Sequence, residues 1–362
     1  MPDLKPLKIA LITSYPPDLT TGSGVVRMIL GYGRSLKQCG HQVTILHPRF
    51  KATSYLNLAV QRLTFNKRLR ISKDDFDLLI VSDFDGFTLK DSAIPKIALN
   101  AGILADIVQF EKGLSARILS HLARRECQNV QSADLVVVPS RYTALKISEY
   151  YRVPEEKVAV VPLGIDPLFW QKQLPQKPVA GNHEIQILCV ARQYPRKGIA
   201  DLLRAFQKVR SINNNVHLVL VGGGPELKAN KELARQLNIA AQVNFVGDLA
   251  DQQQLASYYA RADIFCLPSY HETFGLVFLE AMFFKLPIVT YASTAIPEVV
   301  KQHFGFLCQP GNIDCLARKL LTLLNDARLR NKMGQLGQQQ VKQFNWLASA
   351  KRLLSLAADI AF

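Results

Sequence analysis

Ten short apolar runs, each five or six residues long and bounded by turn residues, recur along this chain with longer stretches of helical spacing between them. In the first half they are KIALIT (8–13), QVTILH (42–47), DLLIVS (77–82), PKIAL (95–99) and DLVVVP (134–139). The second half repeats the pattern with IQILCV (185–190), VHLVLV (216–221), QVNFV (242–246), DIFCL (263–267) and PIVTY (287–291), separated by stretches such as KGIADLLRAFQKVRS. Strands too apolar to alternate, joined by helices, specify parallel sheets covered on both faces.

A length of 362 residues agrees with two such sheets better than with one core. The Pro-rich polar segment PLGIDPLFWQKQLPQKPVAGNHE reads as the linker between them. The expected division is 1–168, 169–344, and a final amphipathic helix over 345–362. Two doubly wound, Rossmann-like domains facing each other make a cleft at the carboxyl ends of their strands, so chemistry is expected at strand-to-helix turns.

The formal charge of +15 favours an anionic partner. Between Asp18 and Asp74 there is no acidic residue, while Arg27, Arg34, Lys37, Arg49, Lys51, Arg62, Lys67, Arg68, Arg70 and Lys73 fall in that interval. No run approaches the roughly 20 apolar residues of a spanning helix, and the opening MPDLKPLKIALITSY lacks the basic head of a signal peptide. A cytoplasmic protein is expected. The six cysteines form no C-x-x-C pair and are expected to be reduced. Neither RNA-binding motifs nor basic stretches interleaved with aromatics are present, which disfavours nucleic acid.

Four turns carry candidate chemistry. Thr21-Gly22-Ser23-Gly24 precedes a helix expected over about 25–37, where free N–H groups and the helix dipole favour an anion. The strand after it ends in Leu46-His47-Pro48 with no acid to hold a ribose, which disfavours a dinucleotide site. Arg192, Arg196 and Lys197 cluster after the first strand of the second half. Gly222-Gly223-Gly224-Pro225 either approaches a nucleotide or only turns the chain, and Val246-Gly247-Asp248 is equally open. The last is HETFGLVFLEAM, in which Glu272 and Thr273-Phe274-Gly275-Leu276 lead into a helix and Glu280 lies inside an apolar segment. A lone carboxylate there requires a partner, from the protein or from a ligand. Asp83-Phe84-Asp85 has metal-binding spacing but ends a first-half strand, and reads as a solvated loop.

Together these residues resemble the retaining glycosyltransferases of the GT-B fold, family four. The resemblance rests on VARQYPRKGIADLLRAF, LVLVGGGPE, VNFVGD, ADIFCLPSYHETFGLVFLEAM, LPIVT, IPEVV, GFLCQPGN and a final FNW helix, and more loosely on YPPDLTTGSG, GHQVTIL and VVVPSRYTALKI. It implies that Arg192 and Lys197 hold the donor diphosphate, with Ser23 and Gly24 at the distal phosphate. Gly223 and Val246 then stand on the donor side. Glu272 holds sugar hydroxyls, the amides around Thr273, Phe274, Gly275 and Leu276 support sugar and phosphate, and Glu280 accepts hydrogen bonds from ribose. Three positions depart from the family: Ser23 replaces a glycine, Lys285 stands where glycine is usual, and Asn100-Ala101-Gly102 occupies the place of a histidine.

The implied reaction is metal-independent, retaining transfer from a UDP-, GDP- or ADP-sugar to a hydroxyl acceptor, with no cofactor required. The acid-free interval bears on the acceptor. Residues 54–71 combine apolar residues with the basic end Arg62, Lys67, Arg68 and Arg70, which suits an anionic membrane surface and a lipid-linked or anionic glycan acceptor, with Asn100 on that side. A nucleotide-sugar epimerase or hydrolase on the same fold is the second reading, and a basic nucleic-acid-binding protein the remote one.

Overall fold

The computed structural model describes residues 5–16, 24–49, 55–174 and 184–361. They form two compact units, one comprising the described residues of 5–164 together with 345–361, the other 165–174 and 184–344.

The first unit runs β1 (Lys8–Ile12), α1 (Gly24–Gln38), β2 (Gln42–Leu46), α2 (Tyr55–Arg68), β3 (Leu78–Ser82), β4 (Lys96–Leu99), α3 (Leu104–Val108), α4 (Gly113–Ser132), β5 (Leu135–Val138), α5 (Arg141–Tyr151) and β6 (Val158–Val160). Its sheet is wholly parallel, in the order β2-β1-β3-β4-β5-β6. The second unit runs α6 (Pro167–Gln173), β7 (Ile185–Val190), α7 (Ile199–Arg210), β8 (Val216–Val221), α8 (Leu227–Gln236), β9 (Val243–Gly247), α9 (Gln252–Arg261), β10 (Ile264–Leu267), α10 (Leu276–Phe283), β11 (Ile288–Tyr291), α11 (Ile296–Val299), β12 (Gly305–Cys308), α12 (Ile313–Asn325) and α13 (Ala327–Val341). Its order is β12-β11-β10-β7-β8-β9, again parallel. Every residue of β3, β4, β5, β10 and β11 is buried, which is why these strands read as unbroken apolar runs.

Each sheet has a sixth strand that the sequence pattern did not suggest. Both, β6 and β12, are edge strands of three and four residues with half-buried faces, too short to stand out as apolar runs. The expected linker also holds structure: α6 starts at Pro167 after Asp166, whose carboxylate accepts from Phe169 N at 2.9 Å, and it buries Trp170 against Tyr259 and Phe284.

The last helix, α14 (Trp346–Ala361), belongs to the first unit. The Trp346 indole meets the Tyr32 ring edge-on at 5.4 Å, and Ser349 Oγ donates to the Pro162 carbonyl at 2.7 Å. Helix α1 presents Gly31 to the indole, where a Cβ would come within 2.5 Å of the ring.

One cysteine expectation is corrected. Cys308 and Cys315 form a disulfide, because the end of β12 and the first turn of α12 bring their Cα atoms to 5.8 Å, within bonding range. Cys39, Cys127, Cys189 and Cys266 are free thiols.

Candidate active site

In the second unit the loops after β7 and β10 are sewn together at the carboxyl edge of the sheet. Pro195–Lys197 forms a 3₁₀ turn whose Arg196 carbonyl accepts from Tyr270 N at 2.8 Å and from Ser269 Oγ at 3.1 Å. Gly198 closes the turn at φ +66°, with its Cα so close to the Pro268 carbonyl that a Cβ would lie 2.1 Å from the oxygen. From the loop after β11, Thr294 Oγ1 accepts from Glu272 N at 2.9 Å and donates to Glu272 O at 2.7 Å, and Ser293 Oγ donates to Ser269 O at 2.6 Å. These bonds fix the Glu272 backbone from both sides, and the sequence pattern named neither Ser293 nor Thr294. Their signal was modest: two small hydroxyl residues after a buried strand, where local side-chain bonds to backbone are common.

The consequence is an ion pair. Lys197 Nζ lies 2.5 Å from Glu272 Oε1, with the two side chains only 12% and 11% exposed. Burial pulls the Lys197 ammonium below its ordinary pKa, although Glu272 opposes the shift. Burial also pushes the Glu272 carboxyl upward, but Lys197 and then Arg196 outweigh it and hold the acid below its usual range. The contact itself, one carboxylate oxygen at bonding distance from the ammonium, has the geometry of a buried ion pair. Arg192, by contrast, is exposed, with its guanidinium 5.8 Å from the Tyr194 ring centre.

Helix α10 begins beside this pair. Its N-cap is Gly275 at φ +87°, which has no side chain to cap the first turn, and Thr273 and Leu276 are half-buried next to buried Phe274. Uncapped first-turn amides with no acid among them suit an anion. Further along, Glu280 is 3% exposed and accepts from Tyr259 Oη at 2.7 Å. One partner of this apolar-segment carboxylate is thus a protein hydroxyl from α9. The helix ends with Lys285 at φ +59°, where Lys285 N bonds to Met282 O and Leu286 N to Ala281 O. That left-handed cap is the reason a glycine is favourable at this position.

The glycine run after β8 packs on the β7 loop. Gly222 N donates to Gly247 O, Gln193 N to Gly223 O, and Gln193 Nε2 to Gly222 O. Gly223 N is taken by Asp248 Oδ1 at 2.7 Å, so this amide is engaged within the protein. Val246 is half-buried in β9. Gly24 is the exposed first residue of α1, in the first unit, and Ser23 lies outside the described residues.

The first unit brings two corrections. Lys67, Arg68 and Arg70 are exposed, but Arg62 is 4% exposed and points inward, donating to Ser14 Oγ at 2.7 Å and Tyr15 Oη at 2.9 Å. The reason is its place on α2: Ala59, Arg62 and Asn66, at i, i+3 and i+7, form the buried face. Nor is Asp83-Phe84-Asp85 a solvated loop. All three residues are buried, with Asp85 accepting from Ser14 N at 2.6 Å and Asn66 Nδ2 at 2.7 Å.

Asn100 is fully buried, with Nδ2 donating to Glu126 Oε1 at 3.1 Å. Glu126 also accepts from Leu104 N and the Tyr151 hydroxyl, yet burial first, and then the charge of Asp83, push its pKa up to about 8. The sign follows from linkage: the native state binds this proton more tightly than the unfolded chain, so stability is greatest below the ordinary value of 4.5 and is lost as pH rises toward about 8. Between pH 4.5 and 7 the loss is on the order of 3 kcal/mol. Glu126→Gln is expected to flatten that slope and melt higher than the parent at pH 8. Melting curves of both proteins at pH 5 and pH 8 check it, and parallel pH slopes would contradict the assignment.

Comparison with known proteins places these loops in context. The profile of the glycosyl transferases group 1 matches residues 171–340, and that of glycosyltransferase family 4 matches residues 22–168. The D-inositol 3-phosphate glycosyltransferase of Corynebacterium efficiens is 28% identical over 253 residues, covering 66% of this chain and 59% of the relative. The GDP-mannose-dependent alpha-(1-6)-phosphatidylinositol monomannoside mannosyltransferase of Mycobacterium tuberculosis is 31% identical over 183 residues, covering 48% of this chain and 46% of the relative. The matches thus span about half to three fifths of these two relatives. Among solved structures, sucrose-phosphate synthase from Thermosynechococcus elongatus aligns with a TM-score of 0.77 at 20% identity, over 97% of this chain and 98% of that one. Anabaena HepE in complex with UDP and glucose aligns with a TM-score of 0.71 at 19% identity, over 97% and 99%. The described residues of each unit carry the parallel six-stranded sheet expected of that architecture. The chain belongs to the group 1 glycosyltransferases of family four and has their GT-B fold.

Proposed function

We propose that this protein is a retaining, metal-independent glycosyltransferase that moves a sugar from a nucleotide-diphosphate sugar to an acceptor hydroxyl. The observation that carries this reading is the buried Lys197–Glu272 pair next to the uncapped start of α10. In the transition state the sugar ring gains positive charge and the leaving diphosphate negative charge. A donor diphosphate competes for the Lys197 ammonium, to which Arg192 and the α10 amides add further stabilisation. Glu272, released from Lys197 but held by Thr294, then faces the positive ring. A phosphate oxygen of the donor takes the acceptor proton, so no separate base is needed. Ser23 and Gly24 support the distal phosphate, Gly223 and Val246 the nucleotide, and Glu280 the ribose.

The donor is a UDP-, GDP- or ADP-sugar. A thermal-shift series with these compounds, with and without EDTA, tests the reading. At a hundredfold excess over Kd one of them should stabilise the fold by about 2.7 kcal/mol, or roughly 5–10 °C. No shift with any donor, or a shift abolished by EDTA, would contradict it. Sugar release at full rate without an acceptor would instead indicate the epimerase or hydrolase reading.

The acceptor in this reading is a lipid-linked or anionic glycan, met at the inner face of the membrane by a cytoplasmic, peripheral protein. Support comes from relatives named for inositol phosphate and phosphatidylinositol mannoside acceptors, and from exposed Leu56 and Val60 on α2 beside exposed Lys67, Arg68 and Arg70. No helix among the described residues is long and apolar enough to cross a membrane. Co-sedimentation with anionic vesicles at low salt, weakened about tenfold or more by replacing the three cations with glutamine, is the expected result.

A further inference from the structure

In the first unit β1 lies between β2 and β3, so the chain leaves β1 in one direction and resumes on its other side at β3. The carboxyl ends of β1 and β3 are therefore the switch point of the sheet, where open parallel sheets take their ligands. Thr13-Ser14-Tyr15 leave β1 there, Asp83-Phe84-Asp85 leave β3, and Asn100 leaves β4.

Arg62 reaches into this point from α2, its guanidinium 3.9 Å from the Tyr15 ring centre and 4.2 Å from that of Phe84. Two of its nitrogens are satisfied by Ser14 and Tyr15, but Nη2 is buried without a partner among the described residues. Two further buried atoms without a partner among the described residues belong to side chains around Asp83. Asn129 donates from Nδ2 to the Asp83 carbonyl at 2.8 Å, leaving Oδ1 buried and unpartnered. Asn100, next to Ala101 whose N–H lies 3.4 Å from Asp83 Oδ1, likewise leaves its Oδ1 unpartnered. Asp83 itself sits at φ +51°, an uncommon conformation for a residue with a side chain, and burial raises its carboxyl to about 6 although Arg62 opposes the shift. Orphaned buried polar groups and a left-handed acid each cost stability, and proteins retain such features chiefly where a ligand uses them.

The inventory of free groups selects the ligand. The dianion of a phosphate ester offers only acceptors: it satisfies Arg62 Nη2 but neither amide oxygen, and it repels an ionised Asp83. A hydroxyl both donates and accepts. Neighbouring hydroxyls satisfy the guanidinium through oxygen, and the amide oxygens and the carboxylate through hydrogen.

We propose that Arg62, Asp83, Asn100 and Asn129 form the acceptor subsite of this enzyme and recognise vicinal hydroxyls of a polyol, so that any anionic group of the acceptor is held elsewhere. The proposal rests on the glycosyltransferase reading above. Turning the Asn100 amide exchanges its two polar atoms but still leaves one of them for the ligand. Tyr15, whose ring covers the Arg62 guanidinium, and Ala101, whose N–H points at Asp83, are half-buried, and the proposed ligand enters past them.

The test uses the full chain with its sugar donor identified by thermal shift. Binding of myo-inositol, trans-1,2-cyclohexanediol, cyclohexanol and methyl phosphate at pH 8 is followed by saturation-transfer NMR. Vicinal diols should bind at least about tenfold more tightly than cyclohexanol, the loss expected for one forfeited hydrogen bond. Methyl phosphate should not displace them. Arg62→Lys, which keeps the charge but removes Nη2, and Asn100→Leu should each weaken diol binding at least about tenfold while retaining the donor's thermal shift. Equal binding of diol and cyclohexanol, displacement by methyl phosphate, or no binding by any probe would overturn the subsite, the last leaving the cluster to ordered water only. The diol comparison uses the unaltered protein, so it decides even if a variant fails to fold. A missing donor shift would count against the glycosyltransferase reading, and a normal donor shift without diol preference against the subsite alone.

Discussion

Lys197→Met is expected to lower transfer about 10²–10³-fold at saturating donor, the usual effect of removing one preorganised charge from a developing anion. It is also expected to destabilise the fold by about 3–5 kcal/mol, because Glu272 is left as a buried charge without its partner. The two effects separate in the double variant Lys197→Met/Glu272→Gln. Removing both charges together should restore most of the stability, since a buried ion pair is often close in energy to a neutral replacement. Activity should stay lost. Initial rates and melting temperatures of the parent, both single variants and the double variant check this. Wild-type rates in the stable double variant would remove Lys197 and Glu272 from the mechanism.

Gly198→Ala should cost about 3 kcal/mol or more. Left-handed backbone alone costs a residue with a Cβ roughly 1–2 kcal/mol, and the added methyl would meet the Pro268 carbonyl oxygen at 2.1 Å. Gly40 provides the control. It has φ +90° but nothing within 4 Å of its would-be Cβ, so Gly40→Ala carries the backbone strain without the collision. The difference between the two substitutions isolates the closeness of the β7 and β10 loops. The donor's thermal shift should shrink in Gly198→Ala and persist in Gly40→Ala. Equal destabilisation would show that the contact with Pro268 relaxes cheaply.

The two sheets were legible because strands buried on both faces cannot hide in a sequence: all ten expected runs contain a strand within about a residue of the expected ends. Edge strands β6 and β12 escaped because most of their positions are only half-buried, which leaves a weaker apolar signal. The site was legible to the extent that it is written in local sequence. Lys197 and Glu272 stand at strand-to-helix turns, and that placement requires no knowledge of neighbours. Their mutual contact does, since 75 residues separate them. The same limit misread Arg62. Its basic neighbours Lys67 and Arg68 suggest a surface, but its spacing from Ala59 and Asn66 puts it on the inner face. A guanidinium there is stable only because Ser14, Tyr15 and Phe84 arrive from distant segments. Asp83 and Asp85 were misjudged for the same reason, as the donors that permit their burial come from Ser14, Asn66 and Ala101. Glu280 announced that it needed a partner, but only the fold names Tyr259.

The contact of Trp346 with Gly31 and Tyr32 makes the first unit discontinuous, because its last helix is synthesised only after the whole of the second unit. While the ribosome is still producing residues 165–344, the first sheet is present but α1 lacks its indole cover. The second unit has all its elements in one unbroken stretch and becomes foldable first. For this chain the order of completion is thus the reverse of the order of translation. The exposed face of α1 during that interval is where a nascent chain of this design needs shielding from its neighbours.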